Sequence, residues 1–196
     1  LGDFSLWFFT GLEHIADLNG YDHILFLLVL CAVYEPGQWK NILILITSFT
    51  IGHSITLALS SLEIISPGTP FIEFLIPVTI LITAAGNLIN TEKKSGPYFF
   101  LHYAGALIFG IIHGMGFSFL LKSMLGSEES PLLPLLYFNL GIEAGQVLIV
   151  VFVFLISLLL TSFFRVSRFK WNFFISSAGF GVAFVMALER LGGLLN

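Results

Sequence analysis

"GLEHIADLNGYDHILFLLVL", residues 11–30, sets an ionisable segment against a run that only lipid or a deep core accommodates. Glu13, His14, Asp17, Asp22 and His23 crowd the start of the apolar stretch from Ile24 to Leu30. A charged group at the centre of a membrane helix costs about 2.5–3.5 kcal/mol on insertion scales, so such groups ordinarily mark a site or a pathway. The rest of the chain has the same character. It is 57% hydrophobic and 10% charged, against about 25% charged in soluble domains. That leaves too little polar surface to cover a globule, and a polytopic membrane protein is the class that remains. The net charge of −4 comes without a basic patch, so no nucleic-acid partner is expected. Cys31 is the single cysteine, which rules out an intrachain disulfide. No Cys/His cluster of structural-zinc spacing occurs, and the three methionines are scattered, unlike a thioether path for copper(I). The chain begins at Leu1, as expected where a signal peptide has been removed or more protein lies upstream.

Five segments are long enough to cross hydrocarbon, at about 39–61, 69–90, 98–121, 132–162 and 170–190. A shorter first span, about 21–34, follows the Asn19-Gly20 break and brings the number to six. Residues 4–16, "FSLWFFTGLEHIA", read as a half-helix too short to cross alone. It either lies at the interface or re-enters as a broken helix, which is tolerated only against protein or a wet cavity. The expected fold is an all-α transmembrane bundle of about six helices, a single domain over residues 1–196. With the N-terminus outside, the inner loops hold Lys40, Lys93, Lys94, Arg165, Arg168 and Lys170, and the outer side only Lys122 and Arg190. Asp3, Glu13, Glu63, Glu128 and Glu129 collect outside. The positive-inside rule then puts both termini in the periplasm or outside the cell.

Helical rise converts sequence position into depth. Asp22 and His23 open the first span from outside. His53 in "TSFTIGHSITLAL" and His113 in "GIIHGMGFSF" each lie about two thirds of the way outward along their spans. Glu73 sits one turn below the outer end of the third span, and in "FNLGIEAGQ" Asn139 and Glu143 enter the fifth, Glu143 reaching near the middle. Facing agrees with depth. Glu73 and Asn87 fall within about 40° of each other, and Asn139, Glu143 and Gln146 follow the i, i+4, i+7 pattern. Thr50, His53 and Ser54 share another stripe. These polar faces are expected to converge inside the bundle. A lone membrane histidine is ordinarily a hydrogen-bonded packing residue, and His102, about 16 Å deeper than His113, is read that way. Gly110 and Gly114 form a small-xxx-small pair that brings a neighbouring helix close to His113. Gly179 and Gly181 are read as packing only.

Imidazoles and carboxylates without thiolates suit nickel, zinc, cobalt or iron(II), whereas magnesium or calcium favours oxygen alone. The expected ligands are His14, Asp22 and His23 at the mouth and His53, Glu73, His113 and Glu143 deeper. Asn139, Gln146 and Ser54 are the expected partners behind them. Capture should weaken as pH falls through the histidine range, since a protonated imidazole cannot ligate. Two alternatives stay open: a metal-dependent hydrolase acting on a lipid-like substrate, and a non-catalytic membrane subunit of an envelope complex. The first lacks an HExxH, and no GxSxG elbow is present to support a serine nucleophile.

The segments "GLEHIADLNGYDHILFLL", "FTIGHSITLAL", "GIIHGMGFSFLL" and "FNLGIEAGQ", in that order, resemble the HupE/UreJ family of bacterial membrane proteins over nearly the whole chain. The resemblance implies about six spans in the bacterial inner membrane. It also implies a nickel or cobalt permease, or an accessory protein of hydrogenase or urease. The family signature, a histidine followed by Gly-x-Asp-His, falls on His14, Gly20, Asp22 and His23. The spacer here is two residues longer, and Ile15 stands where the signature has proline. An extracytoplasmic domain upstream is also implied.

Overall fold

A computed structural model describes residues 2–65, 69–89, 96–125 and 131–195. Asn90, Lys93, Lys94, Glu128 and Glu129, used above for span ends and loop charge, lie outside the described residues, as do the side chains of Asp3 and Lys122. Every described element is helical: α1 (Gly2–Ile15), α2 (Asp22–Cys31), α3 (Trp39–Ser61), α4 (Thr69–Ile89), α5 (Gly96–Leu125), α6 (Leu132–Leu158) and α7 (Arg168–Leu195). A 3₁₀ turn, Pro36–Gln38, joins α2 to α3. Its geometry is held by a reciprocal cap in which the Glu35 N–H donates to Gln38 Oε1 at 3.0 Å. A π-helical turn, Leu159–Phe163, closes α6 before the chain reverses at Arg165, whose φ is 54°.

Helices α3, α4, α5, α6 and α7 are long and apolar enough to cross a membrane. The expected first span, 21–34, is shorter as a helix: α2 has 10 residues, about 15 Å. It works together with α1. Phe4 of α1 packs edge-on against Tyr137, Gly11 abuts Phe138, and Ile15 reaches Gly145, so α1 runs parallel to α6 and enters the bundle from the same end. Beyond the break at 16–21, α2 continues toward the opposite end, where Tyr34 meets His102. Together the two half-length helices pass from one end of the bundle toward the other.

Glycine sets how closely the helices approach. A Cβ on Gly110 would lie 2.1 Å from the Phe49 carbonyl oxygen, and one on Gly52 would lie 2.1 Å from that of Leu107, so α3 and α5 touch backbone to backbone. Gly11 and Gly141 do the same for α1 and α6, at 2.0 Å. Gly179 meets the Val29 side chain, while Gly181 faces open space, so only the first of that pair packs.

The core lies around α2, where His23, Phe26, Leu27, Val29, Leu30 and Cys31 are all buried. A helix that stops inside a bundle leaves carbonyls without partners. Here the Val29 oxygen accepts from the Ala32 N–H at 3.2 Å and also from Asn87 Nδ2 of α4 at 2.8 Å, while Asn172 Nδ2 of α7 donates to the Asn87 backbone oxygen at 3.1 Å. Outward, the spans present large apolar side chains such as Phe152, Leu155 and Phe174, the surface a bilayer solvates.

Candidate metal centre

The break between α1 and α2 places two imidazoles edge to face. His14 sits one residue before the end of α1 and His23 one residue into α2, and their ring centroids are 4.8 Å apart. His53 of α3 lies 5.7 Å from His14 and 6.1 Å from His23, and His113 of α5 lies 5.0 Å from His23. The glycine contacts explain this meeting. Gly110 and Gly114 flank His113 and seat directly on the backbone of Phe49 and His53. Four helices thus deliver four histidines to one place, and His14, His23 and His53 each offer a ring nitrogen within 4.8 Å of the others.

The chemistry of the cluster lies in its unpartnered atoms. His14 Nε2, His23 Nε2, both ring nitrogens of His53 and Nδ1 of His113 are buried without a hydrogen-bond partner. Such an atom costs about 1–3 kcal/mol, and buried imidazoles are ordinarily satisfied. The two outer members have their tautomers set from behind. The Asp22 carboxylate lies 3.0 Å from His23 Nδ1, so that nitrogen carries the proton and Nε2 turns its lone pair inward. Thr79 does the same for His113. Its single hydroxyl proton goes to the Ile76 oxygen at 2.7 Å, so it can only accept from His113 Nε2, 3.2 Å away. His113 Nδ1 is left as a free lone pair.

Aromatic rings enclose the group. Phe26 and Phe49 lie against His113 at 5.5 and 5.3 Å, and Phe117 lies tilted against His14 at 3.8 Å and stacks on Phe138 at 5.2 Å. Outside His14 an open cavity of about 630 Å³ is lined by Glu13, Asp17 and Asn19 on the break and by Phe117, Leu120 and Met124 of α5. Irregular backbone is sustained in a membrane where it borders such a cavity. The N-terminal segment is a broken helix packed against α6, with this cavity beside the break.

The remaining expected ligands lie elsewhere. Asp22 stands behind His23 rather than beside the other imidazoles. Glu73 pairs with Arg190 of α7, both side chains 42% exposed. Glu143 accepts from the Thr47 hydroxyl at 2.6 Å, and Gln146 meets Thr50 at 2.7 Å. Asn139 donates to the Leu135 oxygen of its own helix, and Ser54 to the Thr50 oxygen of its own. His102, read as a packing residue, has Tyr34 Oη 3.3 Å from its Nδ1. Thr79 and Phe117 escaped the sequence reading. Neither is ionisable, and their importance comes from which ring they touch.

Five membrane-length helices around a buried, unsatisfied set of imidazoles make this a multi-pass membrane protein with a candidate metal centre at a helix break. The family model described as HupE / UreJ protein matches residues 2–189. The chain belongs to that family. No curated protein and no solved structure matches it.

Proposed function

We propose that the protein binds a divalent transition metal, nickel or cobalt before zinc or iron, at His14, His23, His53 and His113, and imports it from the periplasm. One observation carries this reading: five buried imidazole nitrogens from four helices converge with no protein partner. Neutral imidazole is the borderline ligand such ions prefer, and membership of the HupE/UreJ family points to the same metals. A binding site at the break of a discontinuous helix is also a recurrent transporter design. The direction follows from charge. Lys40, Arg165, Arg168 and Lys170 gather at the end of the bundle away from the cavity, so the cavity faces the periplasm.

The test is nickel and cobalt binding to the purified protein, with metal accumulation in cells, for the native chain and for His23→Ala and His113→Ala. Binding and accumulation should both fall sharply in each variant. Native levels in both variants would end the proposal. A second reading rests on the count of ligands. Three imidazoles within ligating distance and an open cavity beside them also describe a catalytic zinc site with its fourth position free, as in a hydrolase of lipid-like substrates. Near-stoichiometric zinc retained through purification favours the hydrolase, and readily exchanged nickel or cobalt favours the importer.

A further inference from the structure

We propose that a cleft between α4 and α5 is the inner release chamber for the metal, parted from the histidines by the rings of Phe26 and Phe109; this rests on the importer reading above. The cleft holds about 240 Å³ and is lined by Thr83 and Gly86 of α4 and by His102, Gly105, Ala106 and Phe109 of α5. Helical spacing ties it to the histidines. Thr79, Thr83 and Gly86 recur at i, i+4 and i+7 on α4, and His102, Ala106, Phe109 and His113 at i, i+4, i+7 and i+11 on α5, so each set shares one face. The seam between these faces is closed at its outer rung, where Thr79 and His113 meet at 3.2 Å. One turn further in it opens. Gly86 and Gly105 keep it open, since a Cβ on either would meet nothing within 4 Å. On the same helix Gly110 and Gly114 press against α3, so α5 uses one pair of glycines to grip α3, while Gly105 leaves room toward α4.

Two rings stand between the centre and the cleft. Phe26 lies 5.5 Å from His113 and 5.8 Å from Phe109, and Phe109 is itself a wall of the cleft. Phe26 is fully buried, whereas Phe109 is half-buried and has the cleft to turn into, so Phe109 is the moving part. The far end carries ligand chemistry. His102 stands eleven residues from His113, about 16 Å along the axis, with Tyr34 Oη 3.3 Å from its Nδ1. The Thr83 hydroxyl proton goes to the Thr79 oxygen at 2.9 Å, so Thr83 meets an occupant as an acceptor. One imidazole and one hydroxyl oxygen hold a transition metal less tightly than four imidazoles, as a station that must let its ion leave requires. The place in the bundle agrees. The cleft lies toward the end where α4 stops and α5 starts, and Asn172, one turn after Arg168, bonds Asn87 there.

Ile82 and Leu101, both exposed, border the cleft on its membrane side, so a lipid acyl chain is the competing occupant. Accessibility separates the two. Thr83→Cys and Gly105→Cys are made in the full chain with the buried native thiol removed as Cys31→Ala, and a cationic methanethiosulfonate is applied to either face of membrane vesicles. Labelling from the inner face alone is expected at both positions; no labelling, as under an acyl chain, or labelling from the outer face overturns the chamber. Gly105→Leu then fills the cleft. Nickel affinity of the purified chain should stay native while nickel uptake into proteoliposomes slows about 10-fold or more, and His102→Ala should slow uptake as well. Native uptake in either variant, or affinity lost in step with uptake in Gly105→Leu, overturns the proposal. Gly86→Leu repeats the test from α4 if Gly105→Leu does not fold. Failure of the importer reading shows differently: the native chain then takes up no more nickel than His23→Ala.

Discussion

His23 illustrates how a side chain becomes a ligand through its neighbours. Its Nδ1 is held by Asp22 and its Nε2 is left bare, an arrangement the Asp-His dipeptide permits but does not specify. Removing the support should cost affinity without removing a ligand. Asp22→Ala is expected to weaken nickel binding about 10- to 100-fold, measured by competition with a chelator. Unchanged affinity would show that Asp22 does not orient the ring. Glu73 gives the opposite expectation. Its partner is an exposed arginine, and exposed pairs contribute about 0–1 kcal/mol. Glu73→Gln should leave metal affinity at the native level and shift the unfolding midpoint only slightly. A loss matching that of His23→Ala would return Glu73 to the site. The sequence reading treated both acids as ligands on depth, charge and helix face, with the family signature added at Asp22. None of these shows which partner an acid will find.

At the level of helices, glycine decides which segments meet. The GIIHGMG segment showed in advance that something would approach His113 closely, since small residues in that spacing make close helix contacts. It did not show that the partner is Phe49–His53 of α3. Gly110→Ala puts a carbon 2.1 Å from a carbonyl oxygen and must push α3 and α5 apart. The expected cost is about 1–3 kcal/mol, read as a lower unfolding midpoint together with weakened metal binding. Gly181→Ala is the matched control. Nothing lies within 4 Å of the added carbon, and alanine is the better helix former, so stability should hold or rise slightly. Equal losses in the two variants would show that the backbone contact is not what positions His53 and His113. The α1–α2 break follows the same logic. The Asn19-Gly20 pair marks an interruption, but a half-helix becomes half of a crossing only because Gly11 and Gly141 let it lie along α6.

Across the bundle, α1 and α6 start at one end, and Arg190 near the end of α7 reaches Glu73 near the start of α4 at that same end. Reporter fusions after α7 and at the α6–α7 turn test the orientation. Periplasmic activity is expected at the first and cytoplasmic activity at the second, and the reverse pattern would turn the cavity to the cytoplasm and overturn capture from the periplasm. The family, the helical class and the membrane setting were all legible in the chain, because hydrophobic run length and motif order are properties of sequence alone. That His53 and His113 stand at a matching level along their helices was legible too, since rise per residue is constant along a helix. What had to wait for the folded bundle was which polar stripes share a seam. Helical periodicity places a residue on its own helix but says nothing of how that helix is rotated against its neighbours. Backbone contacts at a few glycines settle that rotation here. They lock α3 to α5 and α1 to α6 and so gather four imidazoles around the break, while the pairing of Glu73 with Arg190 and of Glu143 and Gln146 with α3 comes from the packing of the other helices.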